Sequence, residues 1–168
     1  MLTLAMTALL AADPIATLET STGAETSLGS VLARSKTTVL FYEDRDSTTL
    51  NQHVKEALFA RGKSKGLLDA VTVIAIANVM KWNWFPARNF VLKAVRDIES
   101  KVHVPIYLDF TGNLTRAPWS FASDTSTVMV LSGSASAQQP VLQFKGRLSD
   151  DEVEKLFSTL EALATATP

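Results

Sequence analysis

The apolar run Ala70–Val79, rich in Val and Ile, constrains this chain more than any other stretch. It is too short for a long helix, and no regular alternation marks a solvent-facing side. Runs of this kind suit a strand covered on both faces, as in a parallel sheet. Parallel strands need crossover connections, usually helices. The flanking sequence should therefore alternate between strands and helices.

It does. Lys36–Tyr42 is β-branched and aromatic and reads as a buried strand. Ser47–Arg61 places Leu50, Val54, Ala57 and Leu58 at helical spacing, with Asp46 or Ser47 as the N-cap and Gly62 and Gly66 closing the element. Pro86 opens a second helix, Ala87–Ser100, with Val91, Ala94, Val95 and Ile98 expected to face inward. Val104–Phe110 is a strand followed by a turn at Gly112. Thr125–Leu131 and Val141–Phe144 read as two strands of a hairpin, joined by the small, polar segment Ser132–Gln139. Ser149 precedes Glu152 by three residues, a capping box, and Val153, Leu156, Phe157, Leu160 and Leu163 form the apolar stripe of a last helix. Ahead of all this, Asp13–Ser30 reads as an extended entry segment with one short strand near Ile15–Leu18.

Strand, helix, strand, helix, strand, hairpin, helix is an α/β order. Its two strand–helix–strand units require right-handed crossovers and a parallel set of strands. The hairpin then extends the sheet antiparallel. The predicted fold is thioredoxin-like: one domain over residues 13–168, a central mixed β-sheet flanked by helices. The chain of 168 residues is long enough for one self-sufficient core and short for two.

Val39–Asp44 resembles the strand that leads into the active site of the thioredoxin family. On that resemblance, Asp46 and Thr49 stand where the family carries its two cysteines, and Ser126 stands where it carries a cis-proline. A second resemblance runs through Pro105–Asp109, Gly112, Trp119, Val128–Leu131 and Gly146–Ser149, which look like the small bacterial, periplasmic YtfJ-like family of thioredoxin-like proteins. It covers roughly the C-terminal half and implies an exported protein in the bacterial cell envelope, with little mechanism attached.

The chain contains no cysteine. That excludes disulfide exchange, thiol peroxidase chemistry and thiolate zinc sites, whatever the fold. With 16 Lys and Arg against 17 Asp and Glu, the charge balance offers nucleic acid and anionic lipid no long-range attraction. No stretch reaches the ~20 apolar residues of a membrane span. The apolar segment Met1–Ala12 resembles the core of a secretory signal, although no Lys or Arg precedes Arg34 and Leu10 fits poorly ahead of a cut at Ala12. The alternative is an N-terminal tail packed on a cytoplasmic domain.

Among candidate functional residues, Glu43, Asp44 and Asp46 crowd one strand end, where carboxylates either cap the following helix or hold a cation. His53 and His103 are isolated and read as packing or surface residues, so no metal or other cofactor is expected. Ser47, Thr48 and Thr49 offer hydroxyls without an adjacent base. The most informative stretch is Lys81–Pro86, which holds Trp82, Trp84 and Phe85. Parallel strands bring their C-terminal ends to one edge of the sheet, where ligands of open α/β folds bind. The aromatic segment should therefore lie beside Asp46 and Ser126, either as a recognition surface for a protein or peptide or as a lid on the core. The function expected is a redox-inactive, protein- or peptide-binding module. The alternatives are a cysteine-independent enzyme and a degenerate subunit of a thioredoxin- or peroxiredoxin-like complex. The oligomeric state is left open.

Overall fold

A computed structural model of the chain describes residues 16–134 and 137–166. Met1–Ala12, read above as signal-like or as a tail, lies outside the described residues. The elements in chain order are β1 (Thr17–Glu19), β2 (Glu25–Ser27), α1 (Leu28–Leu32), β3 (Thr37–Glu43), α2 (Gln52–Ser64), α3 (Leu67–Ala70), β4 (Thr72–Asn78), α4 (Ala87–Val102), β5 (Ile106–Asp109), β6 (Thr127–Ser134), β7 (Ala137–Lys145) and α5 (Asp150–Thr165). Short 3-10 turns add Met80–Trp82 and Asn113–Thr115.

The seven strands form one mixed sheet in the order β2-β1-β5-β4-β3-β6-β7. β3, β4 and β5 run parallel, and β6 and β7 extend the sheet antiparallel. β3 is an interior strand, between β4 and β6, and all of its residues are buried. Its alternate side chains serve two faces, as the period of a strand requires. Leu40 and Tyr42 join Ile74, Ile76, Met129 and α1's Leu28 and Leu32 on one side. Val39 and Phe41 join Val54 and Leu58 of α2 and Leu156, Phe157 and Leu160 of α5 on the other. Each such side chain contributes about 1.5–3 kcal/mol of burial. α4 covers the β4–β5 half through Val95, against Val79, Leu108 and Phe110. The capping box forms as the sequence predicts, with Ser149's hydroxyl and Glu152's carboxylate serving each other's backbone N–H groups.

Several boundaries differ from the sequence reading. α2 begins at Gln52, not Ser47, because the Asp44 carboxylate takes over the segment ahead of it: Oδ1 accepts from the N–H of Asp46 (3.1 Å) and Ser47 (2.8 Å) and from the Ser47 hydroxyl (2.7 Å). This local turn outcompetes the helix, as Asp and Ser side chains do. Successive turns follow, Leu50 N–H to Ser47 O and Gln52 N–H to Thr49 O. Gly62 does not close α2 but lies buried within it, where a Cβ would come 3.0 Å from Leu68 Cγ. Gly66, at φ +67°, ends α2 behind its Lys65 C-cap as the sequence predicts and also starts α3, and Ala70 belongs to that second helix instead of β4. The entry segment carries a hairpin and a helix, β1–β2–α1, in place of one short strand.

Ser132–Ser134 and Ala137–Gln139 are strand, not connecting loop. Ser132 pairs with Gln139 and Gly133 with Gln138, and buried Gln138 donates to the carbonyl oxygens of Leu32 and Ser35. On α4, Ala94 and Ile98 face solvent, not the core. The helix is rotated toward β1, to which it is tied by the Arg88–Glu19 ion pair and the Ser21–Glu99 hydrogen bond.

Candidate functional site

The parallel pairing sets the site. Glu43 is in register with Ala77 and Asn78 with Asp109, so β3, β4 and β5 end on one edge of the sheet. Antiparallel β6 begins there too, with Thr127 opposite Tyr42. The turns after β3 and β4 therefore meet. Between them lies a cleft of about 180 Å³, walled by Asp44, Arg45 and Asp46 on one side, Met80, Lys81 and Trp82 on the other, and Asn78 and Ser123.

Trp82 and Asp46 thus line the same cleft. The Arg45 guanidinium lies 5.9 Å from the centre of the Trp82 ring, within cation–π range. Trp82 is half-buried and packs on the α4 core, so this ring is part wall and part lid. Trp84 and Phe85 are 57 % and 83 % exposed and project from the segment beyond it. Among the described residues, no hydrogen bond or ion pair engages the side chains of Asp46 and Lys81, which leaves a carboxylate and an ammonium free at the cleft. Gly112, at φ +66°, closes against its floor, since a Cβ there would come 2.6 Å from Met80 Sδ. Thr49 is exposed on the turns ahead of α2 and does not line the cleft.

Ser126 does not line it either. It is fully buried beneath the site, in a polar network that the sequence does not reveal. Its hydroxyl donates to Glu43 Oε1 (2.8 Å) and accepts from Asn51 Nδ2 (2.9 Å). Asn51 also donates to Gly146 O (2.8 Å), and its Oδ1 accepts from Leu148 N–H (2.9 Å). Lys55 Nζ completes the network, 2.6 Å from Glu43 Oε2 and 2.7 Å from Thr48 O. Asn51 therefore fastens the start of α2 to the β7–α5 junction. Glu43, buried and matched by Lys55 and Ser126, is neither a cap nor a free carboxylate.

On the opposite face of the sheet, the Tyr42 hydroxyl donates to Asp109 Oδ2 (3.2 Å). Burial, with the Asp109 carboxylate beside it, pushes the phenol far above its usual range. Asp109 also accepts from the backbone N–H groups of Asn113 and Leu114. This fixes the turn that carries Gly112.

Ser47 is buried and its hydroxyl is bound to Asp44, with no imidazole at hand. His53 Nε2 lies 3.1 Å from Leu148 O, away from the cleft lining, and His103 is an exposed residue ending α4 at φ +54°. Among the described residues, no three His, Asp or Glu side chains are grouped to hold a metal ion. No helix among them is long and apolar enough to cross a membrane.

The architecture is a thioredoxin-like fold. The chain is similar to the structure of a putative thiol:disulfide interchange protein DsbE from Chlorobium tepidum (TM-score 0.61, 16 % identity, covering 96 % of this chain and 99 % of that one). It is similar to an uncharacterized thioredoxin-like protein from Porphyromonas gingivalis (0.60, 14 %, 95 % and 96 %) and to the exposed lipoprotein thioredoxin of Streptococcus pneumoniae (0.57, 15 %, 88 % and 98 %). No protein-family profile and no curated protein sequence matches the chain. At these identities the likeness defines the fold alone. The chain is a thioredoxin-like domain without the cysteines on which thiol–disulfide exchange depends.

Proposed function

We propose that this chain is a redox-inactive thioredoxin-like module that binds a protein or peptide segment in the Asp46–Trp82 cleft, in the bacterial cell envelope. The observation that carries the reading is the combination at one sheet edge of a cleft, a half-buried Trp wall, two strongly exposed aromatic side chains and unpaired Asp46 and Lys81. Aromatic anchors of this kind dominate binding energy where they become desolvated. The free carboxylate and ammonium supply polarity for orientation. An envelope location is supported by the resemblance of the C-terminal half to the YtfJ-like family and by the exposed lipoprotein among the similar structures.

The test is a peptide display selection against the pure protein, followed by titration of the selected peptides with tryptophan fluorescence as the readout. Binding should weaken at least tenfold in Asp46→Ala and in Trp84→Ala. Trp84→Ala should leave stability within about 0.5 kcal/mol of wild type, as exposed positions do. Selected peptides that bind the two variants as tightly as wild type would remove the cleft from the reading. Insulin reduction by the same preparation should stay at the buffer blank.

A further inference from the structure

We infer that Met80 is an oxidation-sensitive switch in the wall of the Asp46–Trp82 cleft: hydrogen peroxide converts its thioether to the sulfoxide, which closes the cleft to its ligand, and reduction reopens it. The chain has no thiol to intercept an oxidant, so its sulfur chemistry rests on four methionines. Two of them lie among the described residues. Met129 sits in β6, in the core, at 1 % exposure. Met80 is 42 % exposed and lines the cleft. Oxidation follows access, so the two should differ widely in rate.

Met80 differs from an ordinary exposed methionine in its backing. Gly112, at φ +66°, packs so closely under the thioether that a Cβ there would come 2.6 Å from Sδ. The sulfur is closed on its Gly112 side, and peroxide reaches it from the other, where the cleft lies. A sulfur lone pair attacks one peroxide oxygen. The S–O bond forms as the O–O bond breaks, and the proton on the transferred oxygen passes to the leaving hydroxide, giving water. The thioether loses two electrons and the peroxide gains them. With no room toward Gly112, the added oxygen projects into a space of about 180 Å³. It replaces part of an apolar wall by a polar acceptor, next to exposed Lys81. Met80 also holds the turn that carries the other wall residues. Its N–H donates to Asn78 Oδ1 (3.3 Å), and its carbonyl accepts from Asn83 N–H (3.4 Å). A displacement of Met80 from Gly112 therefore moves Lys81 and Trp82 with it. The loss of ligand rests on the peptide-binding reading of the cleft; the reactivity of the thioether does not.

Peroxide treatment of the folded full chain, followed by peptide mapping with mass spectrometry, is the first measurement. Met80 should oxidise about tenfold faster than Met129. Peptides selected against the untreated protein should bind the oxidised chain about tenfold more weakly, and the two methionine sulfoxide reductases, one for each epimer, should restore binding. Met80→Leu, whatever its own affinity, should keep it through peroxide treatment. Met80→Gln, with a polar group at the place of the sulfoxide, should bind more weakly than Met80→Leu before any treatment. The wild-type measurements stand even where a variant fails to fold. Oxidation of Met80 no faster than that of Met129 overturns the inference. So does full conversion of Met80 with unchanged affinity, or an equal loss in Met80→Leu, which places the effect at another residue. A selection that yields no peptide sinks the peptide-binding reading instead, and tryptophan emission becomes the readout. It should change on oxidation in wild type and stay constant in Met80→Leu, and equal responses overturn the inference.

Discussion

Asn51→Ala should damage this domain strongly, although the Asn51 side chain does not line the cleft. The side chain is fully buried and makes three hydrogen bonds, to Ser126, Gly146 and Leu148. Truncation leaves the buried Leu148 N–H without an acceptor, at about 1–3 kcal/mol. The Gly146 carbonyl loses a donor in a less buried place, at about 0.5–1.5 kcal/mol. Ser126 suffers little, since its hydroxyl still donates to Glu43. The sum is about 1.5–4.5 kcal/mol, which at a urea slope of about 2 kcal/mol/M lowers the midpoint by about 0.8–2.2 M. Urea titration followed by far-UV circular dichroism measures it, with an unchanged slope as the sign that the effect is on the native state. Asn51→Asp sharpens the reasoning. It keeps the acceptor for Leu148 but loses both donors and buries a carboxylate across Ser126 from Glu43. It should be less stable than the alanine variant at pH 7, and the gap should narrow on acidification as the new carboxyl takes a proton. A midpoint shift below about 0.25 M for Asn51→Ala, or an Asp variant as stable as wild type, would refute the view that this network clamps α2 to the β7–α5 junction.

Three further outcomes are expected. Because the buried Tyr42 phenol is held far above its usual range, it stays protonated in the folded chain while the unfolded chain ionises near pH 10; stability then falls as pH rises past that point, by about 1.4 kcal/mol per pH unit from this group, and Tyr42→Phe should lack that slope in alkaline denaturation. Leu156→Ala or Leu160→Ala, each at a side chain no more than 1 % exposed, should cost about 2–5 kcal/mol in chemical denaturation. His103→Gly should raise thermal stability by up to about 1 kcal/mol, since φ +54° at the end of α4 is a left-handed conformation that glycine adopts freely.

What could be read from the sequence is what is decided locally. The Val- and Ile-rich run around β4 and the capping box and stripe of α5 carry their own burial pattern, so strand and helix were legible without knowledge of partners. The start of α2 was not, because the competition between a helix and the Asp44 turn is settled by hydrogen bonds whose relative strengths no spacing reveals. Ser132–Ser134 and Ala137–Gln139 read as loop because their residues are small and polar; they are held as strand by their pairing and by Gln138, whose acceptors lie 106 and 103 residues away in the sequence. The candidate site divides the same way. The meeting of the Asp46 and Trp82 turns follows from parallel topology and could be anticipated. The burial of Ser126 and the role of Asn51 could not, because their partners lie 75 and 95 residues away in the sequence.

The two margins of the sheet limit how this domain can meet other chains. One margin is β2, only three residues long. The other is β7, which carries Pro140 opposite Leu131, at the place where the register with β6 shifts. Proline has no N–H to offer an incoming strand, and a shifted register bends the ladder away from a straight template. Neither margin offers the long, regular row of backbone donors and acceptors that a strand-adding peptide or a growing fibril needs. If the domain binds another chain as proposed, recognition is left to side chains, at the turns beyond β3 and β4. Its specificity is therefore open to change by point substitution, with the backbone ladder left intact.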